Sequence, residues 1–394
     1  MIYFLTILSI STSTLLSVVE VCRHGARQTL QKYPWNNYDW EVNTGELAHE
    51  GLIQHYLIGR ELRDRYSATQ PLLPHSYNLD KIYIRSSDTP RTIMSAQAQM
   101  FGLFPHGPSL SKTSNQYTAT PPFEIPDINN TIKANDLHAL PYDFQPVTIE
   151  VQPLEQDQFL AVFGYSCPRM QFLINEFEHS PKYKQRIEAY NKNIKSRLEQ
   201  VLNLKEIKYQ DVAQIADSFE CIEFAGFGRA KDLIGDIYDE ILEIRNYTNA
   251  YMFEGSEALN LANSYFFKEA LDNFQSVIDG NGARIFSLYM GHDTNLVGYL
   301  KRLNAYDGNN PPFASALIFE LHEEEEKEEE GEKHLFVRVF YNDKQLKLDF
   351  CELDCGFKKF KDFINSWTYP DLSKACLLQG RLQQDKYNYF LNLT

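Results

Sequence analysis

Cysteine, positive charge and long apolar runs are all scarce in this sequence. Six cysteines in 394 residues are too few to replace a hydrophobic core, so we expect them to add disulfides to an ordinary globular protein in an oxidising compartment. No Cys-x-x-Cys pair with matching histidines is present, which argues against a structural zinc site. The formal net charge of -15 disfavours nucleic acids and anionic membranes as partners, because both select positively charged surfaces.

The apolar run at the start of the chain is too short to favour a permanent membrane anchor. Residues 1–14, MIYFLTILSISTST, combine a short apolar stretch with small hydroxyl residues, which is typical of a signal peptide, although a basic beginning is missing. Three Asn-x-Ser/Thr sequons agree with passage through the secretory pathway, and they begin at Asn129, Asn246 and Asn392. We expect a secreted or lysosomal glycoprotein without a stable membrane anchor.

Strand-like runs alternate with helical patterns, which predicts an α/β fold. The apolar runs at 15–22, 81–84 and 285–290 are typical of strands buried on both faces. Between the first two, residues 46–66 follow the spacing of an amphipathic helix, and another helix is predicted at 296–303. Strand, helix and strand in this order imply a parallel sheet. We therefore predict a mostly parallel sheet that is flanked by helices.

The middle of the chain differs in character from its two ends. The length of 394 residues suggests two domains, or one with a large insertion, because a domain usually has about 100–200 residues. Residues 116–274 open with a Pro-rich loop and continue in longer helical patterns, so we predict a mostly helical cap inserted into an α/β core of 15–115 and 275–394. The acidic run at 323–332 is predicted to be a solvated hairpin loop and not a metal site, because uninterrupted carboxylates repel one another.

A compact anion-binding motif follows the first predicted strand. Two guanidinium groups, an imidazole and a glycine stand where open α/β sheets form their ligand crevice; they belong to Arg23, His24, Gly25 and Arg27. Arginine matches phosphate oxygens in a bidentate fork, and Gly25 lets the backbone approach the ligand. A neutral His24 has a ring nitrogen with which to attack phosphorus. By itself, Arg-His-Gly is a common tripeptide and specifies little.

The other two predicted strands also end in charged residues. Arg85 would be a third phosphate clamp, placed before a helix N-terminus that itself favours an anion. His292 can stabilise the phosphate oxygens, and Asp293 can protonate the leaving alkoxide as a general acid. Residues 86–88 are interpreted as helix-capping residues and not as a nucleophile with its partner. The combination indicates phosphoryl transfer, which depends mainly on positioning and charge stabilisation.

The sequence that carries these clusters resembles the histidine acid phosphatase family, the branch of the histidine phosphatases that includes prostatic and lysosomal acid phosphatases and histidine-type phytases. The resemblance covers nearly the whole chain after residue 14. Besides Arg-His-Gly with its following arginine, it is carried by five stretches: RSSDTPRTIMSAQAQMFGLFP (85–105), GHDTNL (291–296), GELAHEGLIQHYLIGRELRDRY (45–66), SCPR (166–169) and PPFASALIFEL (311–321).

The resemblance implies a role for each residue already singled out. His24 is implied to be the nucleophile and Asp293 the proton donor. The implied phosphate ligands are Arg23, Arg27, Arg85 and His292. The resemblance also implies a phosphoglycerate-mutase-like α/β core with an α-helical cap, no metal or other cofactor, and a possible homodimer.

Cysteine pairing is a further implication of the resemblance. The implied disulfides are Cys167–Cys376 and Cys351–Cys355. Cys221 should stay free, because Ala316 occupies the position of its usual partner, and Cys22 is expected to be a core thiol. Ala26 stands where many relatives carry an acidic residue, which removes one negative charge beside the phosphate and alters the surroundings of the substrate.

The sequence therefore favours an enzyme, an acid phosphatase that hydrolyses small phosphate monoesters through a phosphohistidine on His24, with Asp293 as proton donor. The alternative is a catalytically silent secreted protein that binds a phosphate ligand in the same pocket, and the presence of all six candidate site residues argues against it. A phosphomutase of the wider superfamily fits poorly with the leader and the helical insertion. Because the cap lacks a clear cluster of additional Lys and Arg, we predict broad use of monoesters and not a dedicated phytase pocket.

Overall fold

The structure is a computed structural model that describes residues 13–36, 38–109, 121–127, 130, 138–161, 166–281, 284–324 and 334–391. Three predictions concern residues outside these ranges: most of the leader, the sequons at Asn129 and Asn392, and the acidic run from 325 onward.

One sheet of eight strands forms the centre of the described part of the chain. Its spatial order is β3 (Glu150–Gln152), β2 (Ile82–Ser87), β4 (Phe286–Gly291), β1 (Ser13–Arg23), β5 (Ala316–Glu324), β6 (Leu335–Tyr341) and β7 (Lys344–Gln345), with β8 (Cys355–Gly356) paired to β6. Neighbouring strands from β3 to β1 are parallel, whereas β5 and the strands beyond it pair in antiparallel fashion. The predicted α/β fold with a sheet flanked by helices is confirmed, but among the described strands the sheet is mixed, with three parallel and four antiparallel pairings. Its central strands β1 and β4 are buried as apolar runs of this kind require.

Helices account for most of the remaining described residues. In chain order they are α1 (His49–Asp64), α2 (Pro90–Leu103), α3 (Pro168–Glu178), α4 (Pro181–Asn193), α5 (Lys195–Leu202), α6 (Asp211–Phe224), α7 (Ala230–Ile234), α8 (Tyr238–Ala250), α9 (Ser256–Ile278), α10 (Asp293–Arg302), α11 (Phe357–Asn365), α12 (Leu372–Ala375) and α13 (Arg381–Leu391). A short π-helical turn, Arg65–Thr69, extends α1.

Two apolar cores cover the two faces of the sheet. On one face α1 and α2 pack against the central strands through residues such as Leu62 and Met100. On the other face α9, α10 and α11 contribute large aromatic residues, among them Phe266, Tyr299 and Phe360. This arrangement leaves the ends of the strands as the open edge where loops gather, which is where ligands bind in open α/β sheets.

The helices α4 to α8 share a separate apolar core that includes Tyr190, Phe219 and Ile241. Two other parts of the predicted insertion, 116–274, belong to the sheet layers: β3 pairs with β2, and α9 packs in the core with β1 and β4. The division of the chain into an α/β core and an inserted cap stays a prediction.

Helix α10 begins at Asp293, three residues earlier than the sequence pattern indicates. The side-chain oxygen of Asn295 accepts the backbone N–H of His292 at 2.9 Å, which satisfies one of the groups that a helix N-terminus leaves without an intrahelical partner. The chain therefore passes directly from β4 into α10, and this tight connection places both His292 and Asp293 at the open edge of the sheet.

Both disulfides predicted from the resemblance, Cys167–Cys376 and Cys351–Cys355, are confirmed. Cys22 and Cys221 are free and buried, also as predicted. No helix in the described ranges has both the length and the apolar composition needed to cross a membrane.

Candidate active site

The ends of β1 and β4 bring the two histidine motifs together. Arg23 is paired with Gly291 in the parallel register, and His24 donates its backbone N–H to the Gly291 carbonyl at 3.0 Å. His292 follows directly, and its ring centroid lies 5.6 Å from that of His24. Two segments that are distant in sequence thus meet because parallel strands end at the same edge of a sheet.

His24 is buried and is held in one tautomer. Its Nδ1 lies 2.8 Å from the carbonyl oxygen of Gly25, which accepts and cannot donate, so Nδ1 carries the proton and Nε2 keeps its lone pair. Burial, followed by the positive charges of three arginines, holds the pKa of His24 well below its ordinary value; these arginines are Arg91, Arg27 and Arg23. Burial and these charges therefore favour the neutral imidazole, which is the nucleophilic state.

Acidic residues of α6 hold the two arginines of the first motif. Arg23 is fully buried and pairs with Glu220 at 3.2 Å, while Arg27 pairs with Asp217 at 2.9 Å. Glu220 also pairs with Arg245 of α8. The Nε of each motif arginine is buried without a hydrogen-bond partner among the described residues. Helix α6 therefore fixes the direction of both guanidinium groups and leaves donors that an anion can use.

Asp293 lies in a network that favours its ionised form. Its Oδ1 accepts the backbone N–H of Thr294, and its Oδ2 accepts the side-chain amide of Asn310 at 3.0 Å and lies 3.4 Å from Arg23. Burial raises the pKa of this carboxyl, but the charges of Arg23 and Arg245 and the amide of Asn310 outweigh burial. The pKa of Asp293 therefore lies below its ordinary value in the free protein.

His292 is supported by a serine that sequence reasoning placed elsewhere. The Oγ of Ser87 lies 3.0 Å from Nε2 of His292, although residues 86–88 were predicted to cap a helix. The capping position of α2 is Thr89, which makes no side-chain capping bond. Burial and the charge of Arg91 lower the pKa of His292 to about 3, so its ring is neutral over most of the acidic range.

Arg91 is a site residue that the sequence patterns did not predict. It is the second residue of α2, and its charge lowers the pKa of both His24 and His292. Burial and repulsion from Arg27 lower the pKa of Arg91 to about 10, so it remains a cation at acidic pH. Its Nε is buried without a hydrogen-bond partner in the described part of the chain. A positive charge in the first turn of a helix is unfavourable, because the N-terminal end of the helix dipole is itself positive. An arginine at this position therefore indicates that it binds an anion.

Arg85 lies behind the cluster and faces a different partner. Its guanidinium pairs with the fully buried Asp157 at 2.8 Å and lies over the ring of Phe159. Asp157 also accepts the backbone N–H of Leu160, whose carbonyl accepts the side-chain amide of Asn295 in α10. The contacts of Arg85 thus brace the loop that supports the start of α10. None of its contacts within the described ranges is with the two site histidines.

Five of the six site residues predicted from the sequence meet in one cluster. They are Arg23, His24, Arg27, His292 and Asp293. Such a collection of guanidinium groups around a neutral imidazole suits a tetrahedral anion. Across the described residues, no group of three or more His, Cys, Asp or Glu side chains is arranged to hold a metal ion.

Comparison with protein families gives one match that covers most of the chain. The family model described as the histidine phosphatase superfamily (branch 2) matches residues 14–342. Among curated proteins, lysosomal acid phosphatase of Rattus norvegicus is 26% identical over 380 residues, which cover 94% of this chain and 82% of the relative. Prostatic acid phosphatase of Homo sapiens is 26% identical over 385 residues, which cover 94% of this chain and 89% of the relative.

Solved structures share the fold at lower identity. A phytase from Citrobacter braakii matches with a TM-score of 0.62 at 16% identity, covering 94% of this chain and all of the other. The multiple inositol polyphosphate phosphatase of Bifidobacterium longum, in complex with inositol hexasulfate, matches with a TM-score of 0.60 at 12% identity, covering 91% of this chain and 94% of the other. These similarities establish the fold, and the site must define the chemistry.

Proposed function

We propose that this chain, which belongs to branch 2 of the histidine phosphatase superfamily and is an acid phosphatase, hydrolyses phosphate monoesters through a covalent phosphohistidine on His24. The observation that carries the proposal is the tautomer of His24. Its Nδ1–H is bound to the Gly25 carbonyl, which leaves Nε2 with a lone pair among three arginines. This arrangement supports nucleophilic attack on a bound phosphate and needs no additional base.

In the first step Nε2 of His24 attacks phosphorus and the bond between phosphorus and the ester oxygen breaks. The proton on Asp293 passes to the departing oxygen, so the alcohol leaves neutral. The phosphate oxygens are bound by the four neighbouring side chains, Arg23, Arg27, Arg91 and His292. Their charges offset the negative charge of the transferring group, which is the main contribution a protein makes to phosphoryl transfer. Arg85 is proposed to act indirectly, through the loop that it braces.

In the second step water attacks the phosphohistidine and the bond between phosphorus and Nε2 breaks. The carboxylate of Asp293 takes the proton from water, so that inorganic phosphate leaves and both residues return to their starting states. The hydrogen bond from Nδ1 to Gly25 persists through both steps and stabilises the charge that the ring carries as the intermediate. Atoms and protons balance without a cofactor.

Protonation of Asp293 depends on the bound substrate. In the free protein the charges of Arg23 and Arg245 keep the pKa of this carboxyl low. A bound phosphate group brings negative charge to the same arginines, which weakens their attraction for the carboxylate and raises its pKa in the complex. We therefore expect an acidic optimum, since the donor must hold its proton while His24 remains neutral.

We also propose that the protein passes through the secretory pathway. The two disulfides, the leader-like pattern of residues 1–14 and the relatives named lysosomal acid phosphatases support this. We propose that the protein is also glycosylated. The sequon at Asn246 lies within the described residues, in α8, where the half-buried side chain of Asn246 contacts Asn309 and Asn310. Release or retention in a lysosome, and homodimer formation, stay predictions.

The test is hydrolysis of p-nitrophenyl phosphate from pH 3 to 8, with and without EDTA, by the wild-type chain and by His24→Ala. We expect chelator-resistant activity at acidic pH that His24→Ala abolishes. Acid-labile phosphate should be trapped on wild-type protein and not on the variant. A folded wild type that binds phosphate without hydrolysing the ester would favour the silent binding protein instead.

A further inference from the structure

A row of three polar side chains lies behind the nucleophile, on the face of the sheet that α1 and α2 cover. We call it the buried row; it consists of Glu20 in β1, Gln99 in α2 and His55 in α1, all fully buried. Gln99 donates its amide to both oxygens of Glu20, and its own oxygen lies 3.0 Å from Nδ1 of His55. Nε2 of His55 lies 3.1 Å from the backbone carbonyl oxygen of Arg23. The row therefore connects the interior of the sheet to the residue that precedes His24.

The peptide group between Arg23 and His24 is bound on both sides. Its N–H, which belongs to His24, donates to the Gly291 carbonyl at 3.0 Å, and its carbonyl faces Nε2 of His55. Because the peptide group is planar, its rotation would change the backbone angles of both residues and move the imidazole and the guanidinium together. A displacement of about 1 Å at a reacting group can cost about 100-fold in rate. His55 is thus placed to control the position of the nucleophile without touching the substrate.

Hydrogen bonding along the buried row requires one additional proton. The carbonyl oxygens of Arg23 and Gln99 accept and do not donate, whereas a neutral imidazole has a single N–H. While Gln99 donates to an ionised Glu20, His55 satisfies both of its neighbours only as an imidazolium. After half a turn of the amide, its N–H donates to Nδ1 of a neutral His55, and its oxygen accepts the proton of an un-ionised Glu20. Both arrangements hold one shared proton and have no net charge.

The shared proton maintains the contact with the peptide. In both arrangements Nε2–H of His55 donates to the Arg23 carbonyl. Loss of the proton leaves an ionised Glu20 and a neutral His55, so one ring nitrogen must present a lone pair to a carbonyl oxygen. Such an unpaired contact is costly in a buried site, because neither group can turn to water instead. The support of the peptide before His24 therefore depends on protonation of the row.

The surroundings of the buried row favour a proton on Glu20. Burial raises the pKa of Glu20 to about 7 and lowers the pKa of His55 to about 4. Hydrogen bonds from Cys22 and Gln99 and the charge of Arg65 oppose the effect of burial on Glu20 without outweighing it. Among the described residues, the other titratable groups that face the row from the elements packed against it are Cys22 of β1, Arg65 and Tyr66 after α1, and, bonded to Tyr66, Glu320 of β5.

We propose that His55 is a positioning residue for the nucleophile His24, and that the proton it shares with Glu20 through Gln99 maintains this role in acid and is released as the pH becomes neutral. This inference rests on the proposed function, since it concerns the same nucleophile. It gives the activity a pH dependence that is separate from the proton on Asp293.

The test measures the release of 2,4-dinitrophenolate from 2,4-dinitrophenyl phosphate in a single turnover, with enzyme in excess, from pH 5 to 8. This leaving group departs without a proton, so the rate reports the attack by His24 and not the protonation of Asp293. Each variant is expressed as a ratio to wild type at the same pH, because the ionisation of the ester is then common to both proteins.

Glu20→Gln should match wild type at pH 5 and exceed it about tenfold at pH 8. A glutamine presents both an N–H and an oxygen, so it gives Gln99 the same partner as the protonated carboxyl at every pH. Wild type at pH 8 keeps the shared proton in roughly one molecule in ten, because the pKa of Glu20 is about 7. Glu320→Gln makes the same change at another buried carboxyl, which bonds with Tyr66 and His322. It is the matched control, and its ratio to wild type should not change with pH.

The role of His55 is tested by two replacements. His55→Leu removes the donor to the Arg23 carbonyl and should slow the release by about 10- to 100-fold at pH 5. His55→Gln keeps an N–H that reaches toward this carbonyl and should recover most of the loss. If His55→Leu fails to fold, the ratio of Glu20→Gln to wild type still decides, because glutamine has nearly the same size as glutamate.

The outcomes separate the two proposals. A folded wild type that releases no 2,4-dinitrophenolate contradicts the proposed function. If wild type is active and the ratio of Glu20→Gln to wild type stays constant from pH 5 to 8, or changes equally in Glu320→Gln, the shared proton is overturned and the phosphatase mechanism stands. Equal rates for His55→Leu and wild type, or for His55→Leu and His55→Gln, overturn the positioning role.

Discussion

Asn310 donates its side-chain amide to Oδ2 of Asp293 over 3.0 Å, and this contact connects helix α8 to the proposed acid. The direction of the amide is fixed, because its Oδ1 accepts the side-chain N–H of Asn249 at 2.7 Å and its backbone N–H is bound to Asn246 at 3.1 Å. Two residues of α8 therefore hold Asn310 so that it presents a donor, and not an acceptor, to the carboxylate.

We predict that Asn310→Leu shifts the alkaline limb of the kcat profile to higher pH by about one unit. A hydrogen bond to the ionised carboxylate lowers its pKa, so removal of the donor raises the pKa and Asp293 keeps its proton to higher pH. The size corresponds to the roughly 1.5–3 kcal/mol of a hydrogen bond to a charged group, partly replaced by water. The measurement is kcat against pH for an alkyl phosphate.

Asn309→Leu is the matched control for this prediction. It makes the same chemical change one residue away, and the contacts of Asn309 are with Asn246 and Asp307 instead of the acid. An alkaline limb that moves equally in both variants, or in neither, would show that Asn310 does not set the proton affinity of Asp293.

Replacing Arg91 should mainly lower catalytic activity, whereas replacing Arg85 should mainly lower the stability of the fold. Arg91→Ala should lower kcat/KM by about 100- to 1000-fold, the usual cost of one group that stabilises charge in the transition state, with little change in stability. Arg85→Met leaves the buried Asp157 without its ion-pair partner, so it should lower the free energy of unfolding by about 3–5 kcal/mol. Activity assays below the unfolding temperature and urea titrations measure the two effects separately.

The sequence prediction that Arg85 binds phosphate is tested by the same pair of variants. It would hold if Arg85→Met lowered kcat/KM as strongly as Arg91→Ala while the urea midpoint stayed at the wild-type value. A smaller loss of activity with a large loss of stability would assign Arg85 to the loop around Asp157.

Asp293→Asn should slow the enzyme in proportion to how much the leaving group needs a proton. For an alkyl phosphate we expect kcat to fall by about 100- to 10,000-fold, the usual contribution of a general acid. For 2,4-dinitrophenyl phosphate the loss should be much smaller, because that phenolate departs without protonation. Steady-state rates with both esters check this, and an equal loss with the two would contradict the role of Asp293 as proton donor.

A buried carboxyl beneath the site should make the fold more stable in acid. Glu20 is fully buried in β1, where both of its oxygens accept the side-chain amide of Gln99 and one faces the Cys22 thiol. Burial raises the pKa of Glu20 to about 7, against the opposing effects of these hydrogen bonds and of Arg65. The folded state thus binds the proton more tightly than the unfolded state.

A carboxyl group whose pKa is higher in the folded state stabilises the fold fully at pH values below its pKa in the unfolded chain, which is near 4.5. This contribution is lost as the pH rises through about 7. Glu20→Gln removes the titration. Between pH 4.5 and pH 8 the stability of wild type relative to this variant should fall by on the order of 3 kcal/mol. Urea unfolding at both pH values measures it, with the exposed Glu188→Gln as control. A pH-independent difference would contradict the prediction.

Local patterns in the sequence were enough to predict the elements that carry the site. The apolar run before Arg23 and the run before His292 are strands because continuous β-branched and apolar residues suit a strand covered on both faces. The rule that ligands bind where parallel strands end then predicted their meeting. The disulfides followed from resemblance. The short strand β3 has no such pattern, since its three residues are all exposed.

Sequence patterns are sufficient to predict the available chemistry: a histidine between arginines after one strand, a His-Asp pair after another, and a fold that brings the strand ends together. The partners of the individual polar side chains depend on tertiary packing. Arg85 turns to Asp157, Arg91 enters the cluster, and Asn310 reaches the acid, through contacts between residues far apart in the chain. Short-range patterns reflect burial and backbone preference, whereas the direction of a polar side chain is set by the partner that packing brings to it.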